Sequence, residues 1–180
     1  MFSPTDCAPR SVHAWVALLA LAAASCARST PDDALARVQQ RGVLRWGADI
    51  QGGEPYVFED PEHAGQLTGF EVDIAAALAR ELGVRAEMVQ NDWTTLVPSL
   101  ERGSFDVILN GLEVTPARAQ RIGLSRPYYC FTEQLSARDG DVRVRDLTSL
   151  RGLRVGTLAN TQAWDMLEPS GAERIPYEGV

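Results

Sequence analysis

The sequence predicts an α/β fold: a mainly parallel sheet covered by helices, with one nearly complete lobe followed by the start of a second. Three observations carry this. Val43–Ala48 (VLRWGA) and Phe105–Leu109 (FDVIL) are short apolar runs without polar alternation, which suits buried strands. Between them, Phe70, Ile74, Leu78 and Leu82 recur every four residues, and Ala75, Ala77 and Ala79 add helix propensity over Phe70–Leu82. The resulting order, strand–helix–strand–helix–strand, is the rhythm of a parallel sheet with crossover helices.

Taken from the N-terminus, the chain opens with Arg10 and the apolar run Ala14–Ser25, followed by Cys26. Twelve residues are too few for a membrane span of roughly 20. They suit the apolar core of a signal peptide over residues 1–26. Ala22-Ala23-Ala24-Ser25-Cys26 resembles a lipoprotein signal, in which Cys26 is lipidated and anchors the mature chain to the membrane. The other reading is an ordinary secretory cut near Ala27. Either route exports the protein. Residues 27–34 are polar and contain Pro31, as in a tether.

A first lobe is expected over 35–130. A short helix, Ala34–Gln40, leads into the strand Val43–Ala48, and residues 59–68 read as a turn-rich excursion. Gly83 closes the helix that begins at Phe70. Val84, Ala86 and Met88 alternate with polar neighbours as on a half-buried strand. A second helix is predicted from about Thr94 to Arg102, and a third where Thr115 caps Pro116. Residues 131–180 should hold a hinge strand, within the aromatic segment Pro127–Ser136, and the start of a second lobe. That second unit has a strand at Leu153–Leu158 and a helix capped at Asn160-Thr161. Some 40 residues cannot cover both faces of a sheet, so the second lobe reads as incomplete (roughly, from surface-to-volume scaling).

Composition narrows the function. The 180 residues are 45% hydrophobic and carry a net charge of −7, which argues against nucleic acid, since phosphate binding needs a basic face. Cys7, Cys26 and Cys130 are far apart and His13 and His63 are the two histidines, so no metal site, redox pair or cofactor is expected.

Arg118 falls three positions after the cap Thr115, where Glu or Gln is usual. A cation there opposes the helix dipole and makes sense beside an anion, for which a carboxylate fits the guanidinium fork best. A surface salt bridge is the alternative. Trp93 precedes a helix, either packed in the core or facing a ligand. Asn110, Gly111 and Glu113 directly follow an apolar strand, and Asp49 follows another. Ligands of open α/β sheets bind beyond such strand ends, although a plain connecting turn accounts for these residues equally. Two carboxylates and one arginine suit a zwitterion. They do not suit phosphate, because these motifs contain neither a Gly-rich P-loop nor a lysine.

Five tracts together carry a family resemblance: GVLRWGAD (42–49), PYVF (55–58), GFEVDIAAALARELG (69–83), the long stretch from Asp92 to Tyr129 ending TPARAQRIGLSRPYY, and LRGLRVGTLANTQA (150–163). They resemble the amino-acid-binding family of ABC-transporter solute-binding proteins over residues 35–178. The resemblance implies a periplasmic-binding-protein-like fold whose two α/β lobes close on a free amino acid and deliver it to permease subunits. It implies that Arg118 holds the ligand α-carboxylate, Trp93 stacks on the ligand, and Asp49 reaches the polar end of a basic side chain. Asn110, Gly111 and Glu113 would add contacts from the first lobe, and Thr161 and Gln162 from the second. Two departures stand out. Glu113 occupies a position usually held by Ser or Thr, and Gly52-Gly53-Glu54 replaces an aromatic before Pro55. The family's acid for the ligand ammonium is expected beyond Val180.

The leading expectation is therefore a binding protein without catalysis, for a polar or basic amino acid. A ligand-binding module of a fused permease or sensor protein is the second reading. A cyclohexadienyl-dehydratase-like enzyme on the same fold, with Glu113 as general acid, is the third.

Overall fold

Val43–Ala48 (β1) is flanked on both edges in the computed structural model, which describes residues 33–177. The expected signal peptide, Cys26 and most of the expected tether lie outside the described residues. β1 pairs in parallel with Arg85–Gln90 (β4), from Val43 opposite Arg85 to Ala48 opposite Gln90. On its other edge it pairs in parallel with Val107–Ile108 (β5), Trp46 opposite Val107 and Gly47 opposite Ile108. The sheet order is thus β4-β1-β5. A central parallel strand is covered on both faces, which is why VLRWGA is apolar nearly throughout.

Ala34–Arg41 (α1) and Phe70–Leu82 (α2) cover one face. Val38, Leu44 and Ala79 form one buried cluster there; Trp46, Ala48, Val57, Ala75 and Leu109 form another. The helix α2 has the predicted bounds, but its buried stripe is Glu71, Ala75 and Ala79, while Leu78 is 40% exposed. The small alanines let the helix lie close to the sheet; the half-buried Ile74 packs against the same cluster and borders a cavity, while Leu78 faces that cavity from the exposed flank. Gly83 ends the helix in the left-handed conformation, its N–H donating to the Ala79 and Arg80 carbonyls.

The excursion before α2 contains a small antiparallel hairpin, Phe58–Glu59 (β2) with Leu67–Thr68 (β3). Beyond β4, a 3₁₀ turn over Trp93–Thr95 runs into Leu96–Glu101 (α3). This start places Pro98 in the first helical turn, where no backbone N–H is needed. Of FDVIL only Val107 and Ile108 pair as β5, because Phe105 turns inward, 2% exposed, onto the far face of β1. It lies against Gly47, where an added Cβ would sit 2.4 Å from the ring. Pro116–Ala119 (α4) is capped by Thr115 as predicted, its hydroxyl oxygen accepting from the Arg118 N–H at 3.2 Å.

Residues 127–136 form no strand among the described residues, which corrects the expected hinge strand. An extended segment becomes a strand only when its N–H and C=O groups find a partner, and no neighbouring strand is hydrogen-bonded to it. Arg154–Leu158 (β6) precedes Gln162–Leu167 (α5), capped by Thr161. Glu173–Tyr177 (β7) pairs in parallel with β6 and was not anticipated from sequence patterning. Pro176 obscures it, although proline is tolerated on an edge strand.

Gly47→Val should lower stability by about 1–3 kcal/mol, the usual effect of overpacking. Urea unfolding of the full-length protein would show this as a lower midpoint with an unchanged slope.

Candidate ligand-binding site

The carboxyl ends of β1 and β5 bring Asp49 and Asn110 side by side. The Asn110 amide oxygen accepts from the Asp49 N–H at 2.9 Å, and its amide nitrogen donates to the Asp49 carbonyl at 3.3 Å. Asp49 is buried, and its carboxylate is held from three directions. Oδ1 accepts from the Gln51 N–H at 3.0 Å and the Gln90 amide at 3.3 Å; Oδ2 accepts from the Trp93 N–H at 2.9 Å. Asp49 thereby ties the end of β1 to the end of β4 and fixes the backbone of Trp93.

Trp93 presents its ring to Arg118, whose guanidinium carbon lies 5.6 Å from the ring centroid, within cation–π range. Arg118 is held at the start of α4 by the Thr115 cap. Its Nη1 donates to the Glu113 carbonyl at 2.8 Å and to Glu113 Oε2 at 2.5 Å. Its Nη2 donates to the Asn160 carbonyl at 2.8 Å. The second carboxylate oxygen of Glu113, Oε1, accepts from the Gln162 N–H at 3.0 Å. The two side chains are only 14% and 8% exposed, for Arg118 and Glu113 respectively. Removing one member of so buried a pair typically costs about 3–5 kcal/mol, since the other charge is left uncompensated. Thr161 is close by, but its hydroxyl is engaged locally, donating to the Leu158 carbonyl and accepting from the Trp164 N–H.

Gly111 is shaped by its neighbours. Its φ of 60° and the Tyr56 ring, 2.8 Å from where a Cβ would stand, both require glycine. Its N–H donates at 2.7 Å to Glu71 Oε1, which also accepts from the Tyr128 hydroxyl. Glu71 is fully buried, and its Oε2 has no partner among the described residues. Burial therefore raises the Glu71 pKa, opposed by the hydrogen bonds from Tyr128 and Gly111. The Tyr128 hydroxyl is pushed far up by its own burial and then by the Glu71 carboxylate. Tyr56, Phe70, Tyr128 and Tyr129 pack as an aromatic cluster, with ring centroids 5.2 to 6.3 Å apart.

A cavity of about 880 Å³ opens beside β5, bordered by Tyr56, Leu78, Gly111, Glu113 and Gln162. Neither Arg118 nor Trp93 lines it. Glu113 thus faces the cavity while it grips the guanidinium. Glu133, also on the cavity wall, has its pKa raised first by burial and then by the charge of Glu113.

Trp93, Arg118, Glu113 and the Gln162 N–H are thus linked directly, one to the next. Asn110 is bonded to Asp49, which holds the Trp93 backbone; Gly111 is bonded to Glu71 instead, and Thr161 caps the adjoining helix. Sequence patterning does not single out Tyr56, Glu71, Tyr128 and Glu133. For Glu71 a signal existed: it heads the small-residue stripe Ala75–Ala79 at four-residue spacing.

Comparison with known proteins places this arrangement among relatives. Residues 44–166 match the profile of bacterial extracellular solute-binding proteins, family 3. The membrane-bound lytic murein transglycosylase F of Idiomarina loihiensis is 34% identical over 173 residues, covering 93% of this chain and 37% of the relative. The histidine-binding periplasmic protein of Salmonella typhimurium is 31% identical over 130 residues, 68% of this chain and 48% of the relative. The L-cystine-binding protein of Escherichia coli is 31% identical over 168 residues, 91% of this chain and 62% of the relative. The chain therefore spans 37% to 62% of the length of these relatives. Among solved structures, an ancestral amino acid-binding protein described as a precursor of cyclohexadienyl dehydratase has a TM-score of 0.70 at 33% identity, covering 81% of this chain and 65% of its own. An ancestral arginine-binding protein bound to arginine has a TM-score of 0.68 at 27% identity, covering 77% and 62%.

Because the folded chain holds the Glu71 proton more tightly than the unfolded chain, this group's contribution is complete below its ordinary pKa of 4.5. Stability should then decline as the pH rises through the raised folded value. Glu71→Gln keeps an acceptor for Gly111 and Tyr128 without the charge, so its urea midpoint should decline less over about pH 4–8 than that of the parent. Parallel pH profiles for the two would assign the titration elsewhere.

Proposed function

The chain belongs to the bacterial extracellular solute-binding proteins, family 3, and on that premise we propose that it captures a polar or basic amino acid outside the cytoplasm for an ABC importer. The observation that carries the reading is the place of Arg118. Its guanidinium is backed by Trp93, joined to the first-lobe strand ends through Glu113, and bonded to Asn160 at the start of the second unit. A cation at the meeting of two segments is well placed to read a ligand carboxylate and to couple its arrival to closure. Trp93 supplies an apolar wall, with Asp49 fixing its backbone. Gly111 and Asn110 shape the strand ends through their bonds to Glu71 and Asp49, and Gln162 brings a backbone N–H, held by Glu113, from the opposite side.

The histidine-, cystine- and arginine-binding proteins among its relatives and neighbours support an amino acid as the ligand and the periplasm as the location. In this reading the protein is not an enzyme. Its partners are the permease subunits of the importer, and a lipid on Cys26 tethers it to the membrane. A second reading is favoured by the transglycosylase relative, which aligns over 93% of this chain yet is covered for only 37% of its own length. In that reading this chain is a ligand-binding module within a longer protein, and the size of the natural protein in cell extracts discriminates the two.

A thermal-shift screen of the full-length protein against the twenty amino acids should give a rise in Tm with one or a few polar or basic members; stabilisation by ligand amounts to about 3 kcal/mol at a hundredfold excess over Kd. Arg118→Ala should abolish that rise, an unpaired ligand carboxylate costing about 2–5 kcal/mol. Arg118→Lys keeps the charge but not the fork, and should weaken binding at least about tenfold while the protein stays folded. Unchanged affinity in both variants would remove Arg118 from the site.

A further inference from the structure

The guanidinium that would receive a ligand carboxylate already holds one. Glu113 Oε2 lies 2.5 Å from Arg118 Nη1, and Glu113 Oε1 lies 3.0 Å from the Gln162 nitrogen, so both its oxygens are bonded, one to each side of the meeting place. The side chain is 8% exposed and borders the cavity, which Arg118 itself does not line. The other terminal nitrogen of Arg118 is bonded to the Asn160 carbonyl.

We propose that Glu113 is an internal competitor for the ligand carboxylate, so that an amino acid binds only by displacing it from Arg118 and Gln162. The inference rests on the reading of Arg118 as the carboxylate-binding residue. Its physical basis is that two carboxylates cannot share the same donors without strong like-charge repulsion. Glu113 is tethered five residues from Arg118, so it competes at an effective concentration that is high and constant. Glu113 is thereby a specificity-determining residue. It sets a threshold that weak carboxylate ligands do not pass, and once displaced it leaves a negative charge on the cavity wall beside Glu133. That charge favours ligands whose remaining groups are cationic and disfavours acidic ones.

The test compares the full-length protein with Glu113→Thr and Glu113→Gln by titration calorimetry, using L-arginine and L-histidine beside L-argininamide and L-histidinamide, whose carboxylates are replaced by amides. Thermal unfolding of each variant checks that it is folded. Glu113→Thr should bind the free amino acid about tenfold or more tightly than the parent, the scale of one charge-assisted hydrogen bond. The amides should show no such gain, and Glu113→Gln should fall between. Equal or weaker binding of the free amino acid by folded Glu113→Thr would overturn the competitor role while leaving the amino-acid reading in place. Absence of binding by the parent and both folded variants, to all four probes, would overturn both together.

Discussion

The double burial of β1 is the constraint from which the site descends. A strand paired on both edges and packed on both faces has its side chains and backbone groups spoken for. The chain can then emerge only at the carboxyl end of β1, beside the exit of β5. Asp49 and Asn110 meet there and lock each other through reciprocal hydrogen bonds. The lock leaves Asp49's carboxylate free to reach across to Gln90 and Trp93. The geometry of Trp93, and through its ring the orientation of Arg118, therefore originates in the sheet rather than in the loops that carry them.

Much of this is legible in the sequence, and the limits have physical causes. The strand Val43–Ala48, the helix Phe70–Leu82 and the caps at Thr115 and Thr161 are readable because each depends on local signals: an apolar run, a four-residue period, a hydroxyl ahead of a helix. Arg118 stands out because it defies the local preference at its position, and such defiance marks a residue held by something non-local. The buried face of α2 is harder to read, because large apolar residues at helical spacing mark amphipathicity without saying which flank packs. Alanines lie close against the sheet, Ile74 is shared between the core and the cavity, and Leu78 is left to the cavity. Residues 127–136 have the aromatic composition of a strand but not a pairing partner, and composition cannot supply one. The role of Glu71 depends on Gly111 and Tyr128, forty and fifty-seven residues away in sequence, and only the fold brings them together.

Asp49 and Glu113 show how carboxylates take different parts within a single site. Asp49 accepts from two backbone N–H groups and a neutral amide, so its charge is balanced by dipoles and it acts as a brace. Glu113 is balanced by a full cation and one N–H, with the cavity at its flank. A brace held by dipoles has little reason to move. A charge held by another charge does if, as proposed, an incoming carboxylate offers the arginine the same partner. Glu71 is a third case, buried with one oxygen unpartnered among the described residues, and the solution there is a raised pKa rather than a counter-ion.

The Arg118–Glu113 pair also bears on how such a cleft discriminates. A bare buried guanidinium would attract any small anion that fitted, and its desolvation would weigh on the ligand-free state. In the proposed site, pairing it internally offsets both problems and leaves the Arg118–Glu113 pair itself without net charge before ligand arrives. Selectivity then passes from the strength of one ion pair to the difference between two of similar kind, so the groups around them decide the outcome. Under the proposed competition, Trp93 behind the guanidinium, Glu133 on the cavity wall and the Gln162 N–H would each act on that difference. The α-carboxylate is common to all amino acids and carries no information about which one is present. A site that already holds a carboxylate of its own leaves the choice to the rest of the ligand, where the information lies.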